Sequence, residues 1–145
     1  MIKKLFRYLL ILISCFLSLY CENGNRTISC FPDSVINVTA NLELPQFQSL
    51  ASVGGWAYIK SGPSSGTRGL ILVRTAQGFK AYDRNAPHIC PGMNTTLEVL
   101  NEIYLYCPED KAKWILSTGQ PLEVTDKPPK TYNAQLSGNT VYISY

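Results

Sequence analysis

From residue 35 onward, apolar and polar positions alternate with a period of two. In VINVTANLEL, residues 35–44, Val35, Asn37 and Thr39 fall on one face and Ile36, Val38 and Ala40 on the other. That is the pattern of a half-buried strand, and Pro45 stops it by withdrawing a ladder donor. Residues 45–55 read as a loop ending in Gly54-Gly55, followed by a short strand, WAYIK. SGPSSGTRG, residues 61–69, is rich in the residues that turns require. GLILVRT is apolar on both faces, which marks a central strand, and Gln77-Gly78 turns it into FKAYDR as a hairpin. TTLEVL and EIYLYC form a second hairpin around Asn101-Glu102. KWILS is a further strand, residues 118–121 a turn, and DKPPK a proline-stiffened connector. TYNAQLSGNTVYISY closes the chain with two strands about residues 137–139. No helical period of useful length follows residue 21, and no repeat is visible. The pattern predicts an all-β domain of short antiparallel strands, a small barrel or sandwich.

The first 21 residues break the alternation. Lys3, Lys4 and Arg7 precede an almost unbroken apolar run from Tyr8 to Tyr20, the charged and apolar regions of an export signal peptide. The run is shorter than the roughly 20 residues needed to span a bilayer. Two cysteines close it, as in a bacterial lipoprotein whose acylated cysteine becomes the first mature residue. Cys15, in Leu12-Ile13-Ser14-Cys15, has the small residue the signal peptidase requires. Cys21 has the full apolar run before it and polar Glu-Asn-Gly-Asn after it, but the bulky Tyr20 immediately precedes it. A plain secretory signal with incidental cysteines is the third alternative. Each places the domain outside the cytoplasm, in the periplasm or on the cell surface of a bacterial envelope, and the first two anchor it in the membrane through lipid. The expected division is a leader at 1–21, a polar tether at 22–34 and a domain at 35–145.

Charge narrows the partners. The 145-residue chain carries a net +3, and the leader's three basic residues account for all of it. From Cys21 onward ten basic residues balance ten acidic ones, so no cluster suggests nucleic acid or a polybasic membrane patch. Cys30, Cys90 and Cys107 lie in the mature part, where an oxidising compartment favours one pair and one odd thiol; Cys30, in the polar tether, reads as the odd one. Asp83 and Arg84, ending a strand beside a loop, read as an ion pair bracing it. Trp56, Trp114 and Tyr58, Tyr82, Tyr104, Tyr106, Tyr132 and Tyr142 read as core or cross-strand pairs rather than a ligand groove. No Ser/His/Asp or Cys/His set and no phosphate-binding glycine loop is present, and the chain reads as no enzyme.

Two loops carry the remaining chemistry: DRNAPHICPG at 83–92, and Cys107-Pro108-Glu109-Asp110. With the strand pair GLILVR…GFKAYDR before them and KWILSTGQPLEVTDKPPKTYNAQLSGNTVYI after them, they resemble the Rieske iron–sulfur domain over residues 55–145. The exported, lipoprotein-like members from Bacteroidetes-type bacteria are the most similar in kind. The resemblance implies a Rieske-like β barrel or sandwich with a cluster-loop subdomain. It also implies four ligand positions for a [2Fe–2S] centre, two thiolates on one iron and two imidazoles on the other. Those positions hold Ala86, His88, Cys107 and Asp110 here, which keeps one thiolate and one imidazole. His88 is the only histidine of the chain, and 18 residues separate it from Cys107. The expectation is therefore a domain without cofactor or metal. A Cys90–Cys107 disulfide would clip the two loops and stabilise them by about 3 kcal/mol. Respiratory members clip theirs from other positions. A zinc site of His88, Cys90, Cys107 and Asp110 is one alternative, and a retained [2Fe–2S] electron-transfer centre is another. On the favoured reading the chain is a non-catalytic binding or structural protein. Its partner is an unknown envelope protein or ligand that meets the tips at 84–96 and 107–113.

Overall fold

The structure, a computed structural model, describes residues 27–145. The leader, its two lipidation candidates and the start of the tether lie outside the described residues. Ten strands follow in chain order: β1 Asn37–Asn41, β2 Trp56–Ile59, β3 Leu70–Thr75, β4 Gly78–Asp83, β5 Glu98–Leu100, β6 Tyr104–Tyr106, β7 Lys113–Ile115, β8 Pro121–Glu123, β9 Thr131–Ser137 and β10 Thr140–Ser144. They form two antiparallel sheets, six-stranded in the order β1-β10-β9-β4-β3-β2 and four-stranded in the order β5-β6-β7-β8. The small sheet is inserted between β4 and β9. A main β unit with a smaller loop-bearing unit is the arrangement the resemblance implied, and the all-β expectation holds.

β3 explains why its sequence is apolar on both faces. Successive side chains of a strand point to opposite sides of its sheet. Leu70 and Leu72 enter one core with Ile36, Ala40, Phe47, Leu50, Val141 and Ile143. Ile71 and Val73 enter a second core with Tyr82, Leu105, Trp114 and Leu116. The central strand is thus the shared wall between the main core and the small sheet. Burying four such side chains at about 25 cal/mol per Å² of apolar surface makes this strand a major source of stability.

Turns follow the residues that permit them. Asn101 and Glu102 take φ of 51° and 62°, the paired positive values of a tight hairpin turn, so the β5–β6 connection falls where expected. Gly69 has φ 80°, and a Cβ there would lie 2.1 Å from the carbonyl oxygen of Ile59; only glycine lets β2 and β3 close at this point.

Two elements escaped the strand pattern. Residues 45–51, expected as loop, form a 3-10 helix (Pro45–Ala51) that buries Phe47 and Leu50. Those two stand three positions apart, which is one turn of such a helix, and Pro45 starts it with φ already set. β8 was not expected, since Pro121 was read as the end of a turn and Leu122 and Glu123 were given no element; it pairs with β7 through Lys113↔Glu123 and Trp114↔Pro121 across a register shift. A three-residue edge strand containing proline has too little alternation to announce itself.

Residues 27–34 are irregular, as a tether would be, yet they lie against the domain. The Ile28 N–H donates to the Pro87 carbonyl at 3.2 Å, and Cys30 is covalently tied to Cys90.

Candidate functional site

The first loop leaves β4 at Asp83 and returns to β5 at Glu98; the second joins β6 to β7. Both emerge at the same end of the small sheet, and an isolated Asn85↔Thr96 bridge closes the base of the first. Short hydrogen bonds hold the first loop's shape. Thr95 accepts from the Gly92 N–H at 2.8 Å, Arg68 donates to Thr96 and to the Gly92 carbonyl, and Arg84 Nε donates to the Leu97 carbonyl at 3.0 Å.

The expected Asp83–Arg84 ion pair does not form. Adjacent strand residues face opposite ways, and these two part accordingly. Arg84 lies over the Tyr58 ring, 4.2 Å from its centroid. Asp83 is buried, with 1% exposure, and is satisfied by neutral donors. Oδ1 accepts from the Asn85 N–H at 2.7 Å and its side-chain amide at 2.8 Å, while Oδ2 accepts from the Tyr132 hydroxyl at 2.6 Å. Tyr132 lies on β9, so this carboxylate ties the loop's root to the main sheet. Burial first, then that hydrogen bond, raises the Tyr132 phenol far above its ordinary range.

The four positions carried over from the resemblance converge at the tips. His88 Nε2 lies 2.5 Å from Asp110 Oδ2, and since the carboxylate has no proton to give, the imidazole N–H donates. Asp110 Oδ1 accepts from the Ala112 N–H at 3.1 Å. Burial alone would raise the Asp110 carboxyl. The hydrogen bonds from His88, the Ala112 N–H and the Cys107 thiol outweigh it and hold the group below its ordinary 3.8. The imidazole packs against Trp114 with ring centroids 5.5 Å apart, and Nδ1 is buried without a hydrogen-bond partner. Ala86 and Cys107 are buried in the same cluster as Trp114. Burial pushes the Cys107 thiol up to about 11, against backbone hydrogen bonds from Glu109 and Asp110 that would lower it. Among the described residues, no three His, Cys, Asp or Glu side chains are grouped so as to hold a metal ion.

No family model matches the chain, and no curated protein matches it. Two solved structures are similar to it. One is the ferredoxin of carbazole 1,9a-dioxygenase from Nocardioides aromaticivorans IC177, at 15% identity and a TM-score of 0.45, covering 77% of this chain and 98% of that one. The other is a complex of reduced oxygenase and oxidized ferredoxin in carbazole 1,9a-dioxygenase, at 15% identity and a TM-score of 0.46, covering 78% and 94%.

The cysteine pairing is a correction. The disulfide joins Cys90 to Cys30, not to Cys107, and the two stand 60 positions apart in sequence. Cys107, which was expected to be paired, is the free thiol among the described residues, and Cys30, expected to be odd, is not. The reason is side-chain direction. Cys107 follows β6 and points into the apolar cluster with Leu105 and Trp114, whereas Cys30 and Cys90 are both exposed and meet on the outer side of the first loop. The pairing also removes Cys90 from the zinc set considered above. Of the aromatic residues, Trp114, Tyr82 and Tyr132 are core, Trp56 and Tyr58 form an edge-on pair 4.9 Å apart, and Tyr142 is exposed. The Asp83–Asn85–Tyr132 brace was missed entirely, because its members lie up to 49 residues apart.

Proposed function

We propose that the chain is an exported, lipid-anchored Rieske-like domain that holds its two tips together with protein contacts in place of an iron–sulfur centre. It acts as a non-catalytic binding or structural module of the bacterial envelope. The observation that carries this reading is the 2.5 Å contact between His88 Nε2 and Asp110 Oδ2. The one imidazole of the chain and the residue standing at the second imidazole position are each other's partners. A [2Fe–2S] centre of the implied kind needs two thiolates and two imidazoles. Ala86 offers a buried methyl group, Cys107 a thiol that burial keeps protonated, and Asp110 an oxygen already engaged, so the residues present do not fit that group. The His88–Asp110 hydrogen bond, the buried thiol and the alanine take up the ligand positions of both loops, which favours a rigid surface over a reactive one. Loops on a rigid scaffold are where binding usually resides, and the tips at 84–96 and 107–113 are that surface here.

Absorbance and metal content test the reading together. Purified, air-oxidised protein is expected to be colourless, with iron far below one per chain. Visible bands with two irons per chain, or a rhombic signal in electron paramagnetic resonance after reduction, would overturn it in favour of electron transfer. One tightly held zinc per chain would overturn it in favour of a mononuclear site.

A further inference from the structure

We propose that the first tip loop faces the membrane to which the chain is anchored, and that Met93 is its apolar contact with the lipid surface. This deepens the reading of the chain as a lipid-anchored module and rests on it.

The inference begins with where the chain enters the domain. Thr27 and Ile28 do not enter at β1 but at the tip: the Ile28 N–H donates to the Pro87 carbonyl, and two residues later Cys30 is bonded to Cys90 with Cα atoms 5.5 Å apart. Only after this crossing does the chain run on to β1. Among the described residues, the route into the domain therefore reaches the first loop before any strand.

Reach then fixes the orientation. Thr27 stands six positions after Cys21, and six residue steps span at most about 20 Å when fully extended. With acyl chains on Cys21, the tip cannot stand further from the lipid surface than that. If Cys15 carries them, Phe16, Leu17, Leu19 and Tyr20 follow at once. Such a run partitions into the interface, which leaves the same short spacer. A domain attached at one end by a spacer shorter than itself keeps that end toward its anchor.

What the loop presents there is apolar and held in place. Met93 is 96% exposed, the largest exposure among the large apolar side chains of the described residues. It stands at the apex of a turn closed by the Gly92–Thr95 hydrogen bonds and by Arg68 on the Gly92 carbonyl. Its exposure is therefore imposed by the fold. Methionine is flexible and polarisable, and it adapts to irregular apolar surroundings. The acyl chains supply the anchorage, and an apolar contact of this kind fixes which end of the domain faces the bilayer.

Fluorophores placed by Met93→Cys and by Gln77→Cys test this in the full-length acylated protein, reconstituted in phosphatidylcholine–phosphatidylglycerol vesicles. Gln77 lies in the turn at the opposite end of β4 and is exposed, so it serves as the distal position. The unsubstituted chain gives the labelling background. With lipids carrying a nitroxide quencher in the bilayer, the probe at 93 is expected to be quenched several-fold more than the probe at 77. In the Cys30→Ser/Cys90→Ser variant that preference is expected to fall, because the strap is released from the loop. Vesicle-bound protein with equal quenching at the two positions, or with stronger quenching at 77, would overturn the orientation and leave the anchor standing. Such a result would also point to a protein partner at the tip. Protein that does not float with the vesicles would overturn the anchor and the orientation together.

Discussion

The two sheets of this molecule are stabilised by different means. The six-stranded sheet has strands of up to seven residues and a continuous apolar core running from Ile36 to Ile143. The four-stranded sheet has only three-residue strands, and its second core is partly borrowed from β3 and β4 of its larger neighbour. Strands that short bury too little to fix two long loops. At the tip the fastening is covalent and polar instead: the Cys30–Cys90 bond, the His88–Asp110 pair and the Asp83 brace. The difference teaches that a loop-bearing unit too small for its own core takes its rigidity from cross-links.

If that contrast is right, opening the disulfide should have the largest effect. In the chain-entropy account, a loop of this length, closed by cysteines 60 positions apart, contributes about 4 kcal/mol. The Cys30→Ser/Cys90→Ser variant is expected to lose up to that amount in urea unfolding, while circular dichroism in the absence of denaturant keeps the strand signal. Leu72→Ala, fully buried in the main core, is expected to cost about 3 kcal/mol. Unlike the disulfide variant, it should lower protection from hydrogen exchange across both sheets, because β3 is their common wall.

Asp110→Ala removes the acceptor of His88, of the Ala112 N–H and of the Cys107 thiol. A loss of about 1 kcal/mol is expected, with increased hydrogen exchange confined to residues 84–112. The figure is small because the Asp110 side chain is 25% exposed and water takes over part of the hydrogen bonding. Asp110→Asn sharpens the point through pH. A carboxyl whose folded-state value is depressed adds stability above its unfolded value and loses it as pH falls through the folded one. The stability difference between the wild type and Asp110→Asn should thus be constant at neutral pH and shrink as pH drops below 3.8. A difference that grows on acidification would contradict the pairing. The smallest effect is an absence of reaction. With its thiol buried and raised to about 11, Cys107 should resist iodoacetamide at neutral pH until the protein unfolds, as read from the mass of the peptide that contains it.

Much of the fold was legible in the chain because strand periodicity is local. The doubly apolar GLILVRT, the Asn101-Glu102 turn and the terminal hairpin each declare themselves within about ten residues. The 3-10 helix left a fainter trace in the spacing of Phe47 and Leu50, and β8 left almost none. At the site, the four positions Ala86, His88, Cys107 and Asp110 could be named from the loops, but their contacts could not. The Asp83–Arg84 pair failed for a readable reason, the alternation of strand side chains. The Cys90–Cys107 pair failed for one that was not readable, since nothing in the sequence says which cysteine faces inward.

By itself the sequence determined the strand pattern, the balance of charge past the leader, and a donor inventory with a single imidazole, because each is a property of residue types and short spacings. Only the tertiary structure decided that Cys30 reaches Cys90, that His88 meets Asp110, and that Asp83 is held by Tyr132 of the neighbouring strand. Those contacts join residues 22 to 60 positions apart. Closing loops of that size costs entropy that no local pattern registers, so their partners are selected by how the two sheets pack.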